Sequence, residues 1–301
     1  MAIWTPDSGE TILARDAAAF ATGTAQQVAG MRWFRNPERE DIQDELPGWP
    51  EGPAFSPREE QKRPVRTAGL FGLQALYVLV IGVLETLAGT GSALPGPGRG
   101  PGRVQEPENE VDDFPVMWAA RDTVARSLPW QLDPARRPED YRTHVIVTDR
   151  RLIVLGLPEG DPRRDEVLWA VERSKITRVD RMRFSDVGGE ARIHFTDGSW
   201  CRLAPPSARQ HWTVLRHLAH PIELFPLDAL TPRQRKYVDS YLESLPNRAH
   251  SVDPVITRRP SGKLLVEVAM EERVRAELGI LTHSFFMTES GRQGAITPKD
   301  L

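Results

Sequence analysis

The chain has 301 residues, enough for one large domain or two small ones with a real hydrophobic core. Its 39 Lys and Arg against 42 Asp and Glu leave a net charge of −3 with the signs interspersed, which gives no electrostatic case for a nucleic-acid partner. A single cysteine, Cys201, excludes an intrachain disulfide and a cysteine-built zinc site.

The first thirty residues carry Asp7, Glu10, Arg15 and Asp16 and lack the basic start and apolar run of a secretory signal. Gly9-Glu10-Thr11-Ile12-Leu13-Ala14 supports either a turn entering a strand or the start of an Ala-rich helix through Phe20. Ala17 to Ala19 favours helix, while the Gly/Thr cluster after Phe20 breaks it. Residues 36–66 are rich in Pro, Glu and Arg, with few aliphatics after Leu46, and are expected to be a loop or disordered.

Thr67 to Leu84 carries no charge, and apolar character resumes after Glu85 as far as Ala88. Leu70, Leu73, Tyr77, Val80, Leu84 and Leu87 share one helical face, with Gln74, Gly82, Glu85 and Gly89 to one side. The length is at the lower end of what spans a bilayer, so the helix fits a single-pass or peripheral membrane anchor. It fits equally a buried helix lying against a β domain or an oligomer interface. Arg58, Lys62, Arg63 and Arg66 before the segment would place a cytoplasmic N-terminus if it spans.

Alternating Pro and Gly from Leu94 to Arg103 supports neither helix nor ladder and acts as a spacer. Beyond it comes a succession of short apolar runs. Tyr141 to Leu157 is a hairpin, with Val145 to Val147 and Leu152 to Leu155 flanking a Thr148-Asp149-Arg150-Arg151 corner. Val167 to Val171 and Ile176 to Val179 continue the pattern, and Ile193 to Leu203 forms a second hairpin. Ser207 is placed to cap a helix running to His220, with Trp212, Leu215, Leu218 and Ala219 on its apolar face. Thr231-Pro232 starts a further helix, with Tyr237, Val238, Tyr241, Leu242 and Leu245 inward, and Pro246-Asn247 stops it. Val255-Ile256 and Leu264 to Val268 suggest a hairpin, Glu271 to Leu278 a short helix, and Thr282 to Met287 a strand. The organisation expected is a mixed or disordered segment over 1–66, an apolar helix over 67–89, a linker over 90–110, a β-rich domain over 111–220, an α+β extension over 221–288 and a tail over 289–301.

The order of the Thr148-Asp149-Arg150-Arg151-Leu152 corner, Ser174-Lys175-Ile176, the Ile193 to Trp200 hairpin and a closing helix resembles the pleckstrin-homology-like superfamily, in its bacterial and GRAM-type branches. The resemblance covers about the middle third of the chain. It implies an α+β fold in which a small β-barrel is capped by a C-terminal helix, and a docking role toward protein or lipid rather than catalysis.

Turn chemistry fixes the register of the second hairpin. A three-residue loop with Gly198 in the left-handed region pairs Ile193 with Cys201 and His194 with Trp200, which segregates apolar from polar side chains. Arg192, His194, Trp200 and Arg202 then form an outward face for an acidic partner or headgroup, or else a solvated face with the tryptophan over arginine stems. Arg150 and Arg151, with Arg163, Arg164, Arg173 and Lys175, suggest an anionic-lipid cleft, although Asp149, Glu159, Asp161, Asp165, Glu166 and Glu172 are interleaved. His211, His217 and His220 lie on one expected helix, but no carboxylate or cysteine joins them at metal-site spacing. Cys201 is expected buried and inert. No acid, base and nucleophile set assembles and no phosphate-binding glycine loop occurs, so neither catalysis nor a cofactor is expected. The resulting expectation is a non-catalytic, membrane-associated module that scaffolds or senses by binding protein or anionic lipid. The rival is a soluble cytoplasmic regulatory protein whose apolar helix is core or oligomer interface.

Overall fold

The computed structural model describes residues 4–22, 33–53, 114–158, 165–182, 190–205, 213–245, 253–269, 282–295, 297 and 300. Four strands form the first sheet: β1 (Ile12–Ala17), β5 (Arg142–Thr148), β6 (Arg151–Leu157) and β7 (Glu166–Glu172), in that spatial order and all antiparallel. The second sheet runs β3 (Phe34–Arg35), β4 (Met117–Trp118), β10 (Trp200–Ala204), β9 (Ala191–Phe195) and β8 (Ile176–Arg181), with β2 (Ala19–Phe20) also paired to β10. The third runs β11 (Glu223–Leu224), β12 (Val255–Arg258), β13 (Leu264–Ala269), β14 (Thr282–Met287) and β15 (Gln293–Gly294). The helices among the described residues are α1 (Thr213–Leu218) and α2 (Pro232–Ser244).

Both hairpins form as their turn residues dictate. Between β5 and β6 the backbone N–H groups of Arg150 and Arg151 donate to the Thr148 hydroxyl at 3.1 and 2.7 Å, closing a tight corner. Between β9 and β10, Gly198 takes φ +83°, and the register pairs Ile193 with Cys201 and His194 with Trp200, as the segregation argument requires. Asp197 holds this loop by accepting from the Ser199 backbone at 3.0 Å and from the Val124 backbone at 2.6 Å.

Val145, Val147, Leu152 and Val154 of the first sheet face Ile193, Cys201, Leu203 and Met117 of the second across one buried core. A second core lies between α2 and the third sheet, where Val238 of the helix meets Ile256, Leu264, Val266 and Phe285. Tyr237 and Tyr241 set their rings 5.2 and 4.4 Å from that of Phe285. Thr231 caps α2 through a reciprocal capping box with Gln234, with proline at the first turn as the sequence predicts.

Three expectations are corrected. The barrel is the first: none of the three sheets closes on itself, and α1 has only six residues, so the architecture is not a pleckstrin-homology-like barrel with a capping helix. The reason lies in the N-terminal part. Residues 19–20 and 117–118 pair with β10, and residues 34–35 extend the sheet by pairing with 117–118, so the second sheet widens beyond β10 where a barrel would need β10 to close. The second correction follows from it. The described residues 4–22 and 33–53 are not separate from the β-rich domain, because β1 pairs with β5 and Phe20, Phe34, Ile42 and Leu46 are buried in its core.

The third concerns the membrane. Among the described residues no helix is long and apolar enough to cross a bilayer, so single-pass anchoring has no support there. The segment 67–89, with Leu70, Leu73, Tyr77, Val80 and Leu84, lies outside the described residues, as do the linker and the expected helix at 271–278.

Candidate functional site

The corner arginines are consumed inside the fold. Arg151 donates to Glu10 from Nε at 3.0 Å and from Nη2 at 2.5 Å, and Nη2 also reaches Asp7 at 2.8 Å. Arg150 Nη2 donates to the Gly9 carbonyl at 2.7 Å, and the Thr148 hydroxyl donates to Glu10 at 2.6 Å. The Arg151 hydrogen bonds outweigh burial and hold the Glu10 carboxyl down at about 2. These arginines lock the N-terminal turn onto the first hairpin; a headgroup cleft would need them free. Of the other basic residues expected there, Arg173 Nη2 donates to the His220 carbonyl at 3.3 Å, and Arg163 and Arg164 lie outside the described residues.

The face on the second sheet is likewise turned inward on itself. Arg202 is fully buried rather than outward: Nη2 donates to the Phe114 carbonyl at 2.8 Å, and Nε lies 3.7 Å from the equally buried Glu190. Trp200 is buried too, stacked on Trp118 with centroids 5.9 Å apart and planes at 8°. Arg192 lies over the Trp200 ring at 4.3 Å. His194 Nε2 meets Asp180 at 2.9 Å, and Arg178 pairs with the same carboxylate at 2.9 Å. Burial pulls the His194 pKa below its ordinary value despite Asp180. The tryptophan under an arginine stem is therefore the arrangement found, and the outward four-residue surface is not.

Two buried polar clusters accompany these. On the outer face of the first sheet Arg15 grips Asp165 with both Nη atoms, at 3.0 and 2.9 Å, and donates from Nε to His144 Nδ1 at 3.3 Å. Burial and the Arg15 charge push the His144 pKa down to about 3, so its ring is neutral. At the junction with the third sheet, His217 Nε2 of α1 lies 2.7 Å from Glu267 of β13, both buried. His217 thus has a carboxylate partner that its sequence neighbourhood does not supply, while His211 lies outside the described residues. Among the described residues no three potential ligands gather for a metal ion. Cys201 is buried, and burial pushes its thiol pKa up, so its thiolate is not accessible as a nucleophile.

An open cleft of about 650 Å³ runs between Gly48-Trp49-Pro50 on one side and Trp130 with Arg136-Arg137-Pro138 on the other. Gly48, at φ +78°, turns the chain so that Trp49 packs on Phe34 at 4.9 Å and Phe20 at 5.8 Å, anchoring one wall to the core. Pro129 leads into a single 3₁₀ turn, Trp130–Leu132, whose Leu132 is buried and fixes the other wall. Arg136 forms the floor: it pairs with the buried Asp133, lies over the rings of Phe34 and Trp49 at 5.3 and 5.1 Å, and donates from Nε to the Pro50 carbonyl at 3.2 Å. Gly52 is required beside it, since a Cβ there would fall 1.7 Å from Arg136 Nη2.

Arg137 differs from Arg136. Its guanidinium is half-buried, and among the described residues its one hydrogen bond runs from Nη1 to the Thr143 hydroxyl at 2.6 Å. Burial lowers its pKa from the ordinary arginine value, offset only in part by Asp133 and Tyr141. Asp133, whose charge acts on Arg137, is paired with Arg136. Among the described residues Arg137 is a partly desolvated cation with most of its five donors unengaged, lining the same cleft as two tryptophans, an arrangement that no motif in the sequence announces. The available signal was the pair of aromatic–proline clusters, Gly48-Trp49-Pro50 and Pro129-Trp130, in stretches without strand or helix periodicity.

No protein-family model matches the chain, and no curated protein or solved structure matches it either.

Proposed function

We propose that the chain is a non-catalytic protein-docking module whose partner lays a segment in the cleft between Trp49 and Trp130. The observation that carries this is Arg137, half-buried at an open, aromatic-walled cleft and using one donor. Tryptophan and arginine at the centre of a recessed surface are the side chains that dominate binding energy when a partner excludes water from them. The residues lining the cleft are Gly, Pro, Trp and Arg, which supply apolar area and hydrogen-bond donors but no nucleophile or general base.

The experiment places a photo-crosslinking residue at Glu139, on the exposed rim, and in a control at Glu243, exposed on α2. The partner captured in cells from the rim position is purified and titrated against the full chain and Trp130→Ala. Loss of Trp130 is expected to weaken binding about thirtyfold, as truncating a tryptophan anchor does. Capture of the same products from both positions, or equal affinity for parent and variant, would refute the docking role.

A further inference from the structure

The walls and the charge of the cleft together specify what kind of segment fits. Two tryptophans and two prolines present flat, rigid apolar surfaces, the lining that accepts a polyproline-II segment, whose conformation is already extended and whose entropy cost on binding is small. The chemistry of the charge is narrower. Among the described residues Arg136 is ion-paired with Asp133 while Arg137 has no ion pair, so Arg137 is the less neutralised of the two cations lining the cleft. Its free donors suit a carboxylate, which a planar guanidinium grips with two parallel hydrogen bonds. Glu139 and Asp140 follow Pro138 on the exposed rim and repel further acids.

Resting on the docking role argued above, we infer that the occupant is an extended proline-rich segment of a partner protein bearing a single carboxylate, which pairs with Arg137 while its prolines lie between Trp49 and Trp130. An acidic run is disfavoured by the rim, and a basic segment by Arg137 itself.

The test uses the full chain and blocked synthetic nonapeptides, read by tryptophan fluorescence and calorimetry. One peptide is polyproline with a central glutamate, the second carries glutamine in its place, and the third is a glycine–serine peptide with the same single glutamate. The glutamate polyproline is expected to bind about tenfold more tightly than its glutamine counterpart, the worth of one charge-assisted pair. That difference should vanish in Arg137→Gln, whose melting temperature should fall only slightly, because the contact at risk is the single hydrogen bond to Thr143 and no ion pair among the described residues is lost. Trp130→Phe, which keeps a ring, should retain part of the affinity for both polyproline peptides. Equal binding of glutamate and glutamine peptides, or of the glycine–serine peptide, would overturn the inference. So would phosphatidylserine-containing vesicles that bind the parent but not Trp130→Phe, since the occupant would then be lipid. If all peptides fail while rim crosslinks still yield a partner sensitive to Trp130, the docking role stands and this partner chemistry falls.

Discussion

Replacing Glu267 tests what holds the third sheet to the rest of the chain. The two hydrophobic cores are distinct clusters, joined by Val255 of β12, which packs against the first core, and by a buried polar cluster. Helix α1 lies against β1 and β5 and buries Val214 and Leu218 in the first core. From its other side His217 reaches Glu267 at 2.7 Å, Arg216 Nε approaches the same carboxylate at 3.6 Å, and Arg259 Nη2 donates to the Arg216 carbonyl at 2.9 Å. Glu267→Ala takes the buried carboxylate away from His217, Arg216 and Arg259, and breaking a buried pair of this kind costs about 3–5 kcal/mol, a large share of the roughly 5–15 kcal/mol of a typical fold. At about 2 kcal/mol per molar urea this moves the midpoint down by roughly 2 M. Replacing both residues, His217→Leu with Glu267→Leu, should cost far less, because neither polar partner is then left buried without the other. Seven of the eight tryptophans lie among the described residues at or before position 200, ahead of α1, so their fluorescence reports the first two sheets, while hydrogen exchange of β12 and β13 reports the third. Glu267→Ala should lower exchange protection of β12 and β13 before the tryptophan transition. A coupling between His217 and Glu267 below about 0.5 kcal/mol in the double-mutant cycle would refute the reasoning.

The pH dependence has a definite sign. Burial would raise the Glu267 pKa, but the charges of His217, Arg216 and Arg259 outweigh it and hold the carboxyl below its usual range. A depressed carboxyl stabilises the fold above its unfolded pKa of about 4.3, and that contribution fades as pH falls through the folded value, so Glu267→Gln should flatten the acid side of the stability curve. Glu10 acts in the same direction: with its carboxyl held at about 2, the stabilisation it shares with Arg151 is present above about pH 4.3 and lost toward pH 2. Arg151 is partly exposed and screened, so Glu10→Gln should cost only about 1–2 kcal/mol at neutral pH, measured by urea unfolding at pH 7 and pH 3. Gly156→Ala places a Cβ 1.8 Å from Tyr141 Oη and must push that ring aside. Burial, then Glu166, raises the Tyr141 phenol to about 12, so displacement should bring it back toward 10 in an alkaline ultraviolet titration, with a loss of about 1–3 kcal/mol.

The strands were legible where local rules decide them. Gly198 and the apolar alternation of 191–203 determine one register, and Thr231-Pro232 with Gln234 determines one helix start. Closure of the sheets is decided elsewhere. Short strands such as Phe34–Arg35 and Met117–Trp118 carry too few residues for any periodicity, yet their parallel pairing determines how wide the second sheet becomes. Ala17 to Ala19 shows the same limit, since helix propensity gives way to the pairing of Ile12–Ala17 with β5.

Charge was harder to place than chain. A basic residue in a strand or corner looks alike in sequence whether it faces solvent or a buried acid, and Arg151, Arg192 and Arg202 all proved engaged within the fold. Trp200 faces Arg192 across one hairpin and is within reach of a register argument, but Glu10 and Glu190 come from a distant turn and a preceding loop, so no local spacing announces them. The cleft inverts the case. Arg136 and Arg137 are adjacent, yet it is Arg136 that lies over the rings of Phe34 and Trp49, far away in sequence, and that pairs with Asp133. Once those long-range contacts have claimed Arg136, the neighbouring arginine is the one left with donors to offer, and a partner's carboxylate is the group best shaped to take them.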